Sequence, residues 1–110
     1  MTIEEKKIKV AEKCGYSYCI KCGKYHDANG IAEIPDYPND LDAIAEAVNS
    51  MPRHIRSIWP MKLRAIVVRD NAGKEDPDTG LLDDTYFYNA TAPQRFEALG
   101  HAWELWKEGE

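Results

Sequence analysis

A chain of 110 residues, 44% hydrophobic and 30% charged, holds enough apolar material for one core and too little for two, so a single folded domain over 1–110 is expected and a disordered chain excluded. Fourteen Lys and Arg against 19 Asp and Glu leave a net charge of −5, which disfavours nucleic acid as the main partner. The longest aliphatic run, Ala65–Val68, is far shorter than the about 20 apolar residues that a membrane-spanning helix needs.

The charged start, Met1 to Lys7, lacks the apolar stretch of a signal peptide and points to a cytoplasmic protein. In that compartment three cysteines read as thiols or metal ligands rather than disulfides.

Thr2 caps a first helix, with Glu5 three residues on at capping-box spacing. Ile3, Val10, Ala11 and Cys14 form its apolar stripe, and Gly15 stands where a C-cap glycine belongs. Lys6, Lys9 and Lys13 line another face, which reads as solvated, with phosphate contact as the sharper alternative. Tyr16–Tyr18 and Gly30–Ile34 are candidate strands, and Asp27-Ala28-Asn29-Gly30 is a turn between them. A second helix begins at Asn39 or Asp40, carries Leu41, Ile44, Ala45, Val48 and Met51 inward, and stops at Pro52.

Beyond a basic connector, Met61, Leu63, Ala65 and Val67 alternate, which predicts a strand over 61–69. Aromatic-rich 85–89 predicts a second, across a polar loop from Asp70 to Asp84. The last helix has Thr91 as cap, Gln94 to complete a capping box, Pro93 in its first turn, and a stripe of Phe96, Leu99, Trp103 and Trp106. Gly100 is placed for close approach to the sheet. The order of elements predicts an α+β fold: an antiparallel β-sheet containing 61–69 and 85–89, sandwiched between helices in α/β/α layers.

Three stretches resemble a known family. Ile34-Pro35-Asp36-Tyr37-Pro38-Asn39-Asp40-Leu41-Asp42-Ala43-Ile44 is similar to the PDYxNDLNAM-type segment of small phage and prophage proteins. Asn89-Ala90-Thr91-Ala92-Pro93-Gln94-Arg95-Phe96-Glu97-Ala98-Leu99 resembles their ATAxQRxEAxL segment, and Ala11-Glu12-Lys13-Cys14-Gly15-Tyr16 their AEKxGW start. The resemblance is to the phage ABA sandwich domain and implies a sheet between helix layers and a phage or prophage origin, with no shared catalytic residues. Asp42 stands where Asn is usual, and the acidic loop over 70–84 is a second departure. Physically, Asp36, Asn39, Thr91 and Gln94 in these segments read as caps and turns.

The strongest chemical signal is Cys19-Ile20-Lys21-Cys22-Gly23-Lys24-Tyr25-His26. Two cysteines two apart, followed by glycine, make a knuckle that turns both thiolates to one point, as a tetrahedral zinc site requires. With Cys14 and His26 as further ligands the pattern is C-x4-C-x2-C-x3-H, a structural zinc knuckle over 14–26. The bland alternative is three reduced thiols with Cys14 in the core; His54 or His101 then stands in as ligand. A redox Cys-x-x-Cys is disfavoured because no strand-to-helix start lowers a thiol pKa.

The acidic loop fits no calcium-loop frame and reads as solvated, or as an acidic surface for a basic partner. Arg53, His54, Arg56, Lys62 and Arg64 surround Trp59 and read as a connector, or as a base-stacking phosphate patch. No phosphate loop, nucleophile elbow or HExxH is present, so an enzyme is not expected. The expected function is a phage or prophage accessory protein that binds a host or phage protein, as an inhibitor of a host defence system of the anti-CRISPR kind. The alternatives are a zinc-containing nucleic-acid-binding module and, last, an enzyme with a site assembled in space.

Overall fold

The computed structural model describes residues 1–107. The first helix, α1 (Ile3–Lys13), is capped by the Thr2 hydroxyl, which accepts from the Glu5 N–H at 3.1 Å. It ends in a Schellman turn: the Tyr16 N–H donates to the Ala11 carbonyl, the Gly15 N–H to that of Glu12, and Gly15 takes φ +99°. The chain then forms β1 (Ser17–Cys19), β2 (Lys24–Asp27) and β3 (Gly30–Ile31) in one antiparallel sheet, in the order β1-β2-β3. The expected turn at 27–30 is present, with the Asn29 N–H donating to Asp27 Oδ1 and Gly30 at φ +119°.

A 3₁₀ turn at Tyr37–Asn39 leads to α2 (Leu41–Ser50), whose N-cap Asp40 accepts from the N–H groups of Asp42 and Ala43. The side chains of Asp36 and Asn39, expected to bond local backbone, instead bond each other, Asn39 Nδ2 donating to Asp36 Oδ2, and Tyr37 adds a buried ring stacked on Phe96 at 6.2 Å. Met51 leaves the helix because it precedes Pro52, which disfavours helical backbone in the residue before it. The Arg56 guanidinium then donates to the carbonyls of Asn49 and Met51, a cation at a helix C-terminus.

Short α3 (Arg53–Arg56) is followed by α4 (Trp59–Asp70), α5 (Thr85–Tyr88) and α6 (Ala92–Ala102). The α+β class with an antiparallel sheet holds, but 61–69 and 85–89 are helical, so the middle layer of the expected sandwich is not built from them. The alternation over 61–67 was the wrong period. Leu63, Ile66 and Val67 are buried at helical spacing with half-buried Trp59 one turn before, whereas Met61 and Ala65 are exposed. Pro60 lies in the first turn, where it costs no hydrogen bond. Residues 85–88 coil because Asp83 accepts from both the N–H and the hydroxyl of Thr85 and starts a helical turn.

Two apolar clusters meet on α6. One joins Val10, Ala11, Tyr37, Ile44, Ala47 and Met51 to Phe96, Leu99, Ala102 and Trp106. The other joins Leu63, Ile66, Val67 and Ala90 to Ala98. Of the expected core, Ile44, Leu63, Val67, Phe96 and Leu99 are buried, Val48, Phe87 and Trp103 are half-buried, and Leu41, Ala45 and Ile3 are exposed. The capping box of Thr91 and Gln94 is present. Helices pack chiefly on helices and strands on strands, in a body of 60 × 26 × 21 Å.

Gly100 admits the Trp106 indole rather than a sheet. After α6 the chain reverses through Glu104 at φ +57°, the Leu105 N–H donates to the Gly100 carbonyl, and Trp106 folds back onto the helix and Phe96. A Cβ at Gly100 would collide with that indole. Gly100→Ala is therefore expected to destabilise by about 1–3 kcal/mol through overpacking, although Ala ordinarily gains about 1 kcal/mol over Gly inside a helix. Urea denaturation checks this; a variant as stable as wild type would show that Trp106 swings aside freely.

Candidate metal centre

The antiparallel register sets Ser17 opposite His26, Tyr18 opposite Tyr25 and Cys19 opposite Lys24. Side chains alternate along a strand, so Ser17, Cys19, Lys24 and His26 share one face while Tyr18 and Tyr25 share the other. On the tyrosine face the two rings sit 5.1 Å apart. On the opposite face Cys19 and His26 are diagonal cross-strand neighbours, close enough for side chains to meet. Ile31 is paired with His26 and joins that face from β3.

Between the strands the chain makes the expected knuckle. The Gly23 N–H donates to the Cys19 carbonyl at 2.8 Å, and Gly23 takes φ +70°, a left-handed backbone that glycine adopts without strain. This folds Cys22 back over the Cys19–His26 diagonal. Cys22 Sγ lies 2.9 Å from His26 Nε2, and the ligand atoms of Cys19, Cys22 and His26 all lie within 4.8 Å of one another. Zn–S distances of about 2.3 Å and Zn–N distances of about 2.0–2.1 Å give comparable ligand separations in a tetrahedron.

The Cys19 thiol is drawn below its ordinary pKa, chiefly by the backbone N–H of Cys22, then by the Cys22 side chain and the backbone N–H of Lys21. The knuckle amides therefore favour the thiolate that a metal requires. The Cys-x-x-Cys lies between two strands, with no strand-to-helix start, and amide dipoles in its turn lower the Cys19 thiol instead.

Cys14 is not brought into the cluster. It follows Val10 and Ala11 on the core face of α1, half-buried, beside Tyr37 and Ser50. Burial pushes its thiol pKa up, and burial likewise raises the phenol of Tyr37, which hydrogen-bonds the sulfur. The chain turns back at Gly15 as anticipated, but the helical stripe has already committed Cys14 to the core. His101 borders a cavity with Lys62, Ala65 and Ile66, and His54 sits on α3; neither joins the metal group. Among the described residues no fourth His, Cys, Asp or Glu does.

The sequence reading missed β2, which carries His26 and sets its distance from Cys19. The signal was present: Tyr25 and His26 lie between a turn glycine and an Asn-Gly turn.

The other charged stretches are used locally. Asp70 binds Arg69 and Gln94, and the side chains of Asp76 and Asp83 accept from backbone N–H groups two residues on. Trp59 donates its indole N–H to the Arg95 carbonyl, and the Arg64 guanidinium lies 4.4 Å from the centre of the Phe87 ring. No helix among the described residues is long and apolar enough to cross a membrane. No protein family, curated protein or solved structure matches this chain.

Proposed function

We propose that the chain is a non-catalytic binding protein whose hairpin over 17–31 is organised by one zinc ion held by Cys19, Cys22 and His26. The convergence of these three ligand atoms within 4.8 Å carries the reading. Two thiolates and an imidazole suit zinc among the common divalent ions, since calcium and magnesium take oxygen. The same knuckle that gathers the ligands holds Ile20 outward, 89% exposed, between them. An apolar side chain held outward on a metal-braced turn suits docking on another protein. Such docking is the mode of action of the phage accessory protein, inhibiting a host defence system, that is the expected function.

The test is recovery of partners from bacterial lysate by wild type, Ile20→Asp, and Cys19→Ser/Cys22→Ser. A protein captured by wild type and lost from both variants is expected; equal capture by all three would sink the reading.

One observation favours the alternative of a nucleic-acid module. Exposed Tyr18 and half-buried Tyr25 pair their rings, and Lys21 and Lys24 flank the knuckle without carboxylate partners among the described residues. Stacking on tyrosine with lysine on phosphate is a way to hold single strands. Binding of a labelled oligonucleotide that falls steeply with added salt would select this reading over protein docking.

A further inference from the structure

We propose, resting on the zinc reading above, that the metal at Cys19, Cys22 and His26 reserves its fourth position for an exchangeable thiolate from outside the chain. Zinc bound by three protein ligands completes its tetrahedron with a water or an external donor. The chain offers no fourth donor among the described residues, because Cys14 is held by the core beside Tyr37 and Ser50.

The site opens to solvent on the side of Cys22: Cys22 and Lys24 are exposed, Cys19 and His26 half-buried, and Ile31, on the same face, is 64% exposed. Charge selects the donor. A divalent ion with two thiolates and a neutral imidazole sums to zero. Lys24, opposite Cys19 on the metal face, and Lys21, between the two cysteines, then leave the surroundings positive. An anionic donor is therefore preferred over a neutral one, and a soft one suits a metal already bound by sulfur. Ile31 offers an apolar surface to the carbon beside the sulfur. On binding, the thiol gives its proton to solvent, its sulfur forms a bond to the metal, and a bound water leaves, with no change of oxidation state. The thiolate has two sources with one chemistry, a small free thiol or a cysteine in another polypeptide.

The test uses the full chain loaded with Co²⁺ in the absence of air and of added thiol. Thiolate-to-cobalt absorption scales with the number of sulfurs bound. Two-sulfur intensity is expected, unchanged in Cys14→Ser. Addition of 2-mercaptoethanol is expected to raise it saturably by about half, from two sulfurs to three, with the protein monomeric by size-exclusion chromatography. A blocked Gly-Cys-Gly peptide forms the second arm: tighter binding than 2-mercaptoethanol assigns the site to a polypeptide cysteine, and weaker binding to a free thiol. Three-sulfur intensity before any thiol is added, falling by about a third in Cys14→Ser, would overturn the proposal, because the chain would then close its own site. So would an unchanged spectrum at millimolar thiol, or a response accompanied by dimerisation. Failure to retain cobalt at all would instead remove the metal reading on which the proposal rests.

Discussion

Cys19→Ser/Cys22→Ser is expected to lower bound zinc from about one ion per chain to less than about a tenth, and to release the hairpin while the helices stay folded. The strands are three, four and two residues long, and so small a sheet is marginal by itself. It gains little from the helices, so the proposed zinc would be its main brace. Zinc in small fingers contributes on the order of 10–16 kcal/mol of apparent binding free energy, more than such a hairpin needs. Elemental analysis of protein purified without metal-chelating resin gives the stoichiometry. Hydrogen exchange is expected to show loss of protection over 17–31 only. Equal zinc in both proteins, or loss of helical circular dichroism in the variant, would contradict this.

The same site predicts a pH dependence. The Cys19 pKa is depressed, so its favourable contribution is complete above the ordinary thiol value and is lost as pH falls through the depressed one. Zinc affinity is accordingly expected to drop on acidification as protons compete for the ligands.

Leu99→Ala is expected to cost about 2–5 kcal/mol, against a change within about 0.5 kcal/mol for Leu41→Ala. Both leucines sit on amphipathic stripes, yet Leu99 is 0% exposed and Leu41 55%. Leu99 packs where α1, α2 and α6 converge, so truncation leaves a cavity that three rigid helices cannot collapse around. Leu41 stands in the first turn of α2 and loses only partial cover. Urea unfolding of the two variants gives the comparison; equal midpoints would contradict the packing described.

What was legible in the chain was local. Caps at Thr2 and Thr91, the glycine turn at Gly15 and the Asn-Gly turn each rest on a few neighbouring residues, and each is present. The knuckle belongs to the same class, since Cys19, Cys22, Gly23 and His26 span eight positions. What was not legible needed distant partners. Residues 61–69 fit either period, and only packing of Leu63, Ile66 and Val67 against Ala90 and Ala98 selects the helix. Cys14 read as a ligand, with the core as the alternative, and that choice was made by Tyr37 and Ser50, far along the chain. Gly100 announced a close contact, but its partner, Trp106, is brought there by the reversal at Glu104, a residue with little left-handed preference.

Both apolar clusters draw on α6, and this bears on synthesis at the ribosome. Phe96, Leu99, Ala102 and Ala98 emerge after most of the residues they cover, with Trp103, Leu105 and Trp106 following. Until then α1, α2 and α4 have exposed apolar stripes and no common surface on which to bury them, a state that chaperones recognise. The hairpin waits for nothing: its strands and the candidate ligands Cys19, Cys22 and His26 lie within residues 17–31. On the proposed zinc reading, a nascent chain would take up its ion and fix this small unit while the rest is still unfolded, and assembly would run from metal to core.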